Sequence, residues 1–348
     1  MIRKQLKFLL IILGILLVLA LPLIIRDRYF QHLLVLSGIF IILTSSWNLL
    51  AGYSGLLNLG HAAFFGIGGY SSALLALKLG LSPWIGLPLG GIIASVFGVL
   101  LGIPSFRLSG PYLAITTIGF SEILRLVAMN WVDLTRGSLG LYGIPPFTAF
   151  KFSESFSIKF VSEQNFYYIV IFFAALTLFL MSRLIHSEFG ISLKSMREDE
   201  MGSESIGIDT SRYKLTVFMI SAFLAGSAGA LYAHYIRLIS PEMLSLGETF
   251  SVLTMAIVGG LGTLFGPVVG AVLLTFLSEG LRFLEDFVKV DIRFIIYGAL
   301  LMATVLFMRN GIVGLFQKKI QSNLSPSPHP SPTRERGKDE GTTKGAKE

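Results

Sequence analysis

The sequence predicts an all-α, polytopic membrane protein: a helical bundle of about ten membrane segments with glycine-rich breaks. Three observations carry this. The chain is 53% hydrophobic and 14% charged, with a mean hydropathy of +0.72, whereas a soluble domain carries about 25% charged residues. Several apolar runs approach or exceed the roughly 20 residues that span a bilayer, among them 6–25, 33–50, 85–103, 166–181 and 292–308. The alternating stretches of about 10 residues expected of a membrane barrel are absent.

The segments follow in order as roughly 6–25, 30–50, 60–79, 84–103, 111–130, 165–182, 214–236, 248–261, 264–283 and 291–308. The first follows the basic start MIRKQLK, as in a signal peptide. Its apolar run is long for one, and Pro22 closely follows the weak small-residue site Val18-Leu19-Ala20, so an uncleaved span is expected. The eighth is short and glycine-ended, so it dips into the membrane or crosses it. Basic residues set the sides. Arg3, Lys4 and Lys7 precede the first span; Arg183, Lys194, Arg197, Arg212 and Lys214 fall in or beside loop 183–213; Arg309, Lys318 and Lys319 follow the last span. Ten crossings put all three groups on one side, so both termini are expected in the cytoplasm and loop 131–164, with Pro145-Pro146, outside. Residues 1–320 thus form one transmembrane domain. The Pro/Ser-rich, mixed-charge stretch 321–348 is expected to be a disordered cytoplasmic tail.

The net charge of +7 is scattered at helix ends, which points to lipid and topology rather than nucleic acid. No cysteine is present, so disulfides and thiolate metal sites are excluded. No G-x-x-x-x-G-K-[ST], nucleophile elbow or H-E-x-x-H occurs, so no catalytic role or P-loop ATP site is expected in the chain itself.

Glycine patterning is the next signal. Small residues recur every four positions at Gly86/Gly90, Gly98/Gly102 and Ala222/Gly226/Ala230, which favours close helix packing. Two stretches differ by mixing glycine with polar residues or proline at a span boundary. "GYSGLLNLGHAAFFGIGGY" (52–70) contains Gly52, Gly55, Asn58, His61, Gly66 and Gly69; "GGLGTLFGPVVG" (259–270) contains Gly259, Gly262, Gly266 and Gly270. Loose backbone at membrane depth is tolerated only where protein buries it or water reaches it. One such break lies in each half, as in transporters with discontinuous helices. They are candidate pathway elements, with close packing as the alternative.

Few polar groups lie inside spans. Glu122 and Arg125 are three apart, share a helix face and form a candidate intramembrane charge pair; Glu279 and Arg282 repeat the spacing near an external end. Asn48, Asn58, Thr116 and Thr117 are expected to bond across helices or face solute. His61 and His234 have no Asp, Glu or Cys at ligand spacing, so no metal site is assigned. In the loop Gly190–Leu215, Ser195 is placed to cap a helix whose first turns carry Glu198, Asp199 and Glu200 and which Gly207 ends. That amphipathic helix is either a solvated surface or a docking element.

Four ordered pieces together resemble the permease subunits of bacterial high-affinity branched-chain amino acid ABC importers, of the LivM type. They are "GYSGLLNLGHAAFFGIGGY" (52–70), "RLSGPYLAITTIGFSEILR" (107–125), "MREDEMGSESIGID" (196–209) and "VGGLGTLFGPVVGA" (258–271), and the likeness spans roughly residues 30–310. The resemblance implies an ABC importer permease fold in the bacterial inner membrane. It implies a related LivH-type permease, two ABC ATPase subunits that bind ATP and Mg, and a periplasmic substrate-binding protein as partners. It also implies that Met196, Arg197, Glu198, Asp199, Glu200, Gly202, Ser203 and Gly207 belong to a coupling helix that docks on an ATPase. The importer signature, EAA then three residues and Gly, aligns with Met201-Gly202-Ser203 and Gly207. The small pair and final glycine match; the acidic first position does not, and Gly-Ser stands for the family's Ala-Ala. The alternatives are a permease of the same superfamily for a sugar, urea or short amide, and an ion-coupled secondary transporter, which would need dedicated membrane carboxylates.

Overall fold

The computed structural model describes residues 14, 16–25, 27–105, 108, 110–147, 150–153, 156–158, 162–288, 293–308 and 311–314. The tail 321–348, the anchors Arg3, Lys4, Lys7, Arg309, Lys318 and Lys319, and the start of the first span lie outside these.

Helix α1 (Arg28–Asn48) is the centre of the bundle. Asp27 Oδ1 caps it by accepting from Tyr29 N at 2.7 Å. It is apolar on every side, and from Leu33 to Asn48 all but Leu34 and Phe40 are buried. Such a helix belongs inside the protein. Around it stand α6 (Glu163–Ile185), α9 (Thr210–Ile236) and α11 (Gly266–Val288).

A second layer is α2 (His61–Leu79), α3 (Pro83–Ser105) and α9, packed backbone to backbone. A Cβ on Gly68 would lie 2.1 Å from Gly226 O, one on Gly229 1.8 Å from Phe65 O, and one on Gly98 2.7 Å from Ala222 Cβ. The four-residue spacing in α3 and α9 therefore does what it predicts, letting helices approach until only glycine or alanine fits. Helix α4 (Pro111–Asn130) lies outside this layer, with Tyr112, Ile115 and Ile123 exposed.

Beyond α4 the chain forms a short helix α5 (Val132–Thr135), strand β1 (Leu141–Tyr142), and a hairpin of β2 (Phe150–Ser153) and β3 (Phe156–Ile158). Strand β4 (Leu238–Ile239) follows α9 and pairs antiparallel with β1, Leu141 opposite Ile239. His234 Nδ1 meets Pro145 O at 2.7 Å, fixing loop 131–164 to the end of α9. Arg197 and Gly52 meet at the opposite end, so the loop after α6 and the 52–60 stretch share one end of the bundle.

By length and apolar composition, seven described helices can cross a membrane: Arg28–Tyr53, His61–Leu79, Pro83–Ile103, Pro111–Asn130, Glu163–Ile185, Thr210–Ile236 and Ile295–Gly314. The last begins within α12 (Arg293–Phe307). Helix α11 has the length, with Glu279 and Arg282 on its later turns. Helix α10 (Leu246–Gly259) does not: its 14 residues rise about 21 Å against a hydrocarbon core of about 30 Å. It starts inside the bundle. Ser121 Oγ, midway along α4, donates to Leu244 O at 2.8 Å, and Ala62 N, in the first turn of α2, donates to Thr249 Oγ1 at 3.1 Å. The segment from Arg237 to Ser245 thus runs inward along α2, and its Ile239 and Leu244 side chains fill the places where Gly69 and Gly66 lack one. Those two glycines are therefore helix-packing positions within α2 and not part of the break expected around them.

Candidate functional site

Three interruptions meet at one end of the bundle. The first lies between α1 and α2. After Asn48 the helix widens into a π turn, Leu49–Tyr53, and Ser54–Gly60 is non-helical. Loose backbone buried this deep needs partners, and side chains supply them. Trp47 Nε1 donates to Asn58 O at 2.7 Å, Gly60 N to Asn58 Oδ1 at 2.8 Å, and Leu59 N to Thr117 Oγ1 on α4 at 3.0 Å. Asn58, His61 and Thr117 are fully buried. The Ser46 hydroxyl donates to Leu43 O at 2.6 Å and has one proton, so its 2.8 Å contact with His61 Nε2 requires that nitrogen to be the donor. His61 thereby braces the break from the start of α2. The Thr116 hydroxyl turns back to Tyr112 O, one turn earlier on α4, and makes no cross-helix bond among the described residues.

The second interruption joins α10 to α11. Gly260 and Gly262 adopt φ of +131° and +73°, values that favour glycine. Asn48 closes this turn from α1. Its Oδ1 accepts from Gly262 N at 2.8 Å and its Nδ2 donates to Thr263 O at 2.9 Å. Thr263 Oγ1 donates to Gly260 O at 2.8 Å and accepts from Gly266 N at 3.0 Å. Beyond the turn α10 and α11 touch through backbone: a Cβ on Gly270 would sit 1.8 Å from Met255 O, and one on Gly259 1.9 Å from Gly266 O. Gly266 and Gly270 thus pack the hairpin, while Gly262 belongs to the turn.

The third is the loop after α6, and it differs from the single helix expected from Ser195. Helix α7 (Glu188–Glu198) already contains Ser195, whose hydroxyl lies 2.8 Å from that of Ser203. Asp199 then leaves helical geometry, with φ −152° and ψ 107°, and caps α8 (Glu200–Ser205) by accepting from Gly202 N at 3.0 Å. Two reasons explain the split. Residues 188–198 have their own buried stripe of Gly190, Leu193 and Met196, and an Asp at a helix start satisfies amides that would otherwise lack partners. Gly207, φ +91°, follows the end of α8. Lys214, on the first turns of α9, is buried and pairs with Glu200. Met201 on α8 and Ile206 just after it stay more than 70% exposed.

Arg197 joins all three. From the last turn of α7 its guanidinium donates to Gly52 O in the π turn, and Cβ positions on Gly55 and Gly262 would lie 3.0 and 3.1 Å from its side chain. Sequence spacing singled out both breaks and the loop but gave no sign that they converge. Asn48 was legible only as a polar residue at depth.

The charge pair of α4 lies elsewhere. Arg125 Nε and Nη2 donate to Glu122 Oε2 and Oε1 at 2.9 and 2.6 Å, a bidentate arrangement within one helix turn. Glu242 approaches Arg125 at 4.0 Å.

Membrane-length helices, two broken at one end and bridged there to an amphipathic loop, define a multi-pass helical membrane protein built like a transport subunit. The chain belongs to the branched-chain amino acid transport system / permease component family, whose model matches residues 29–305. It is 34% identical over 300 residues to the high-affinity branched-chain amino acid transport system permease protein LivM of Salmonella typhimurium, covering 81% of this chain and 69% of that one. Identity to LivM of Escherichia coli K12 is also 34%, over 303 residues, with 82% and 70% covered. The LivH permease protein of Salmonella typhimurium is 27% identical over 295 residues, with 80% and 92% covered. No solved structure matches the chain.

Proposed function

We propose that this chain is the LivM-type permease subunit of an ATP-driven importer for branched-chain amino acids in the bacterial inner membrane. A LivH-type permease completes the path, two ABC ATPase subunits bind ATP and Mg and supply the energy, and a periplasmic protein delivers the solute. The relatives' names support the solute, and the chain's likeness to both LivM and LivH supports a paired permease. The end bearing Arg183, Lys194, Arg197 and Arg212 is the cytoplasmic one in this reading, which places both termini in the cytoplasm. Met201 and Ile206 offer the ATPase an apolar contact.

The observation that carries the mechanism is the bond from Arg197 to Gly52 O. ATP-driven closure of the ATPases moves α7 and α8. Arg197 passes that motion to the π turn of α1, and Asn48 passes it on to the turn between α10 and α11. Glycine-rich turns absorb the backbone rotation, and the path switches between outward and inward access. The test is reconstitution with the two ATPases, the second permease and the binding protein. Leucine uptake is expected only with ATP and the full set; uptake by this chain alone without ATP overturns the proposal.

A further inference from the structure

Helix α4 presents an outer face unlike those of its neighbours. Midway along its length α3 exposes Ile92, Val96 and Leu100, and α6 exposes Phe172, Leu176 and Phe179. Lipid accepts such stripes, since its tails are as apolar as leucine. On α4 the residues Ile115, Gly119, Glu122 and Leu126, spaced four, three and four apart, share one face. The Glu122 side chain is 44% exposed there, and that of Arg125 beside it 23%. Glu122 sits about 12 Å along the helix from Asn130, at the end that leads into loop 131–164, within a hydrocarbon core about 30 Å thick.

A second element brings charge to the same face. Glu242 lies on the segment that runs inward along α2, between the buried Pro241 and Met243, and its side chain is 77% exposed. It approaches Arg125 at 4.0 Å. Its depth is fixed two residues later, where Leu244 O accepts from Ser121 Oγ, next to Glu122. Together Glu122, Arg125 and Glu242 carry one net negative charge. Charges are expensive in hydrocarbon at this depth. Backbone outside a long helix persists at membrane depth only inside protein or beside water. Lipid therefore does not cover this face. At Gly119 no other atom of the chain comes within 4 Å of a Cβ position, which leaves a hollow one turn from Glu122.

We propose that the outer face of α4, with Glu122, Arg125 and Glu242, is the wall that this chain contributes to a water-filled path shared with the second permease subunit, which rests on the importer reading above. Water solvates the three charges. Tyr112 and Leu126, exposed toward the two ends of α4, meet the partner beside the path. The face lies on the outside of the bundle, so only another membrane-spanning protein can enclose water against it. The 27% identity of this chain to a LivH permease supports a partner of like fold, whose own counterpart of α4 closes the opposite side.

The chain has no cysteine, so a single introduced one is read on it without background. Ile123→Cys on the α4 face, Val96→Cys on α3 and Leu176→Cys on α6 are each assembled into the complete importer in proteoliposomes and treated with a charged methanethiosulfonate carried by water. Ile123→Cys reacts at least about tenfold faster than the other two, because the thiolate is the reactive form and hydrocarbon suppresses it. Its modification blocks leucine uptake. Gly119→Cys repeats the measurement at a position with room for a side chain. A benzophenone amino acid replacing Tyr112 or Leu126 cross-links to the second permease on illumination, and one replacing Leu176 does not. Reaction at Ile123→Cys and Gly119→Cys as slow as at Val96→Cys places the face in lipid or dry contact and overturns the proposal. Fast reaction without cross-links overturns it too, since water then reaches the face without the partner. The labelling and cross-links without leucine uptake refute the solute in the importer reading and leave this wall standing. Failure of the chain to assemble with a second permease refutes both.

Discussion

Replacing Arg197 by alanine removes the side-chain hydrogen bond between α7 and the π turn of α1. A hydrogen bond from a charged donor contributes about 1.5–3 kcal/mol, and a buried carbonyl left without its partner costs about 1–3 kcal/mol. Gly52 is buried, so its carbonyl loses a donor that water replaces poorly. At about 1.4 kcal/mol per factor of ten, the coupling between loop and break weakens by about 10- to 100-fold. Leucine uptake in the reconstituted importer falls by that factor. Co-purification with the ATPases is unchanged, because Met201 and Ile206, the proposed apolar contacts, remain exposed. Arg197→Lys keeps the charge without the planar fork and recovers part of the rate. Wild-type uptake by Arg197→Ala refutes the link. Loss of ATPase binding in that variant refutes it differently, by making Arg197 a docking contact.

Other substitutions probe the rest of the account. Asn48→Ala strips the amide of Gly262 and the carbonyl of Thr263 of their partner, at about 1–3 kcal/mol per unsatisfied group; the melting temperature in detergent and the uptake rate both fall. Gly68→Ala forces a methyl to within 2.1 Å of Gly226 O and destabilises by about 1–3 kcal/mol or more. Gly119→Ala, where nothing lies within 4 Å, leaves stability equal or improves it by about 0.5–1 kcal/mol, and the two melting temperatures separate the cases. Asp199→Ala removes the cap of α8 at about 1 kcal/mol, seen as faster amide exchange in residues 200–205.

The helices were legible because apolar runs and bilayer thickness constrain each other. The segment expected at 111–130 is α4 to the residue, and 60–79 differs from α2 by one position. Four-residue glycine spacing announced close approach, but which backbone would come close is a tertiary fact: nothing near Gly68 in the chain points to Gly226, and nothing near Gly98 points to Ala222. The split of loop 183–213 at Asp199 was missed because its acids were read as the first turn of one helix, when Asp199 itself is the better cap. The inward course of 237–245 was hidden for the opposite reason. It consists of side chains filling the hollows left by Gly66 and Gly69, which carry no polar signal.

The most direct test of the coupling account exploits a chain with no cysteine, in which spin labels can be placed at will. Labels at Lys194 on α7 and Leu57 in the first break report whether these move together; labels at Lys194 and Leu139, at the other end of the bundle, report the motion itself. Between the nucleotide-free and ATP-trapped importer, the Lys194–Leu57 distance is predicted to hold within about 1–2 Å while the Lys194–Leu139 distance shifts by more. A Lys194–Leu57 distance that changes as much as Lys194–Leu139 contradicts a rigid link through Arg197.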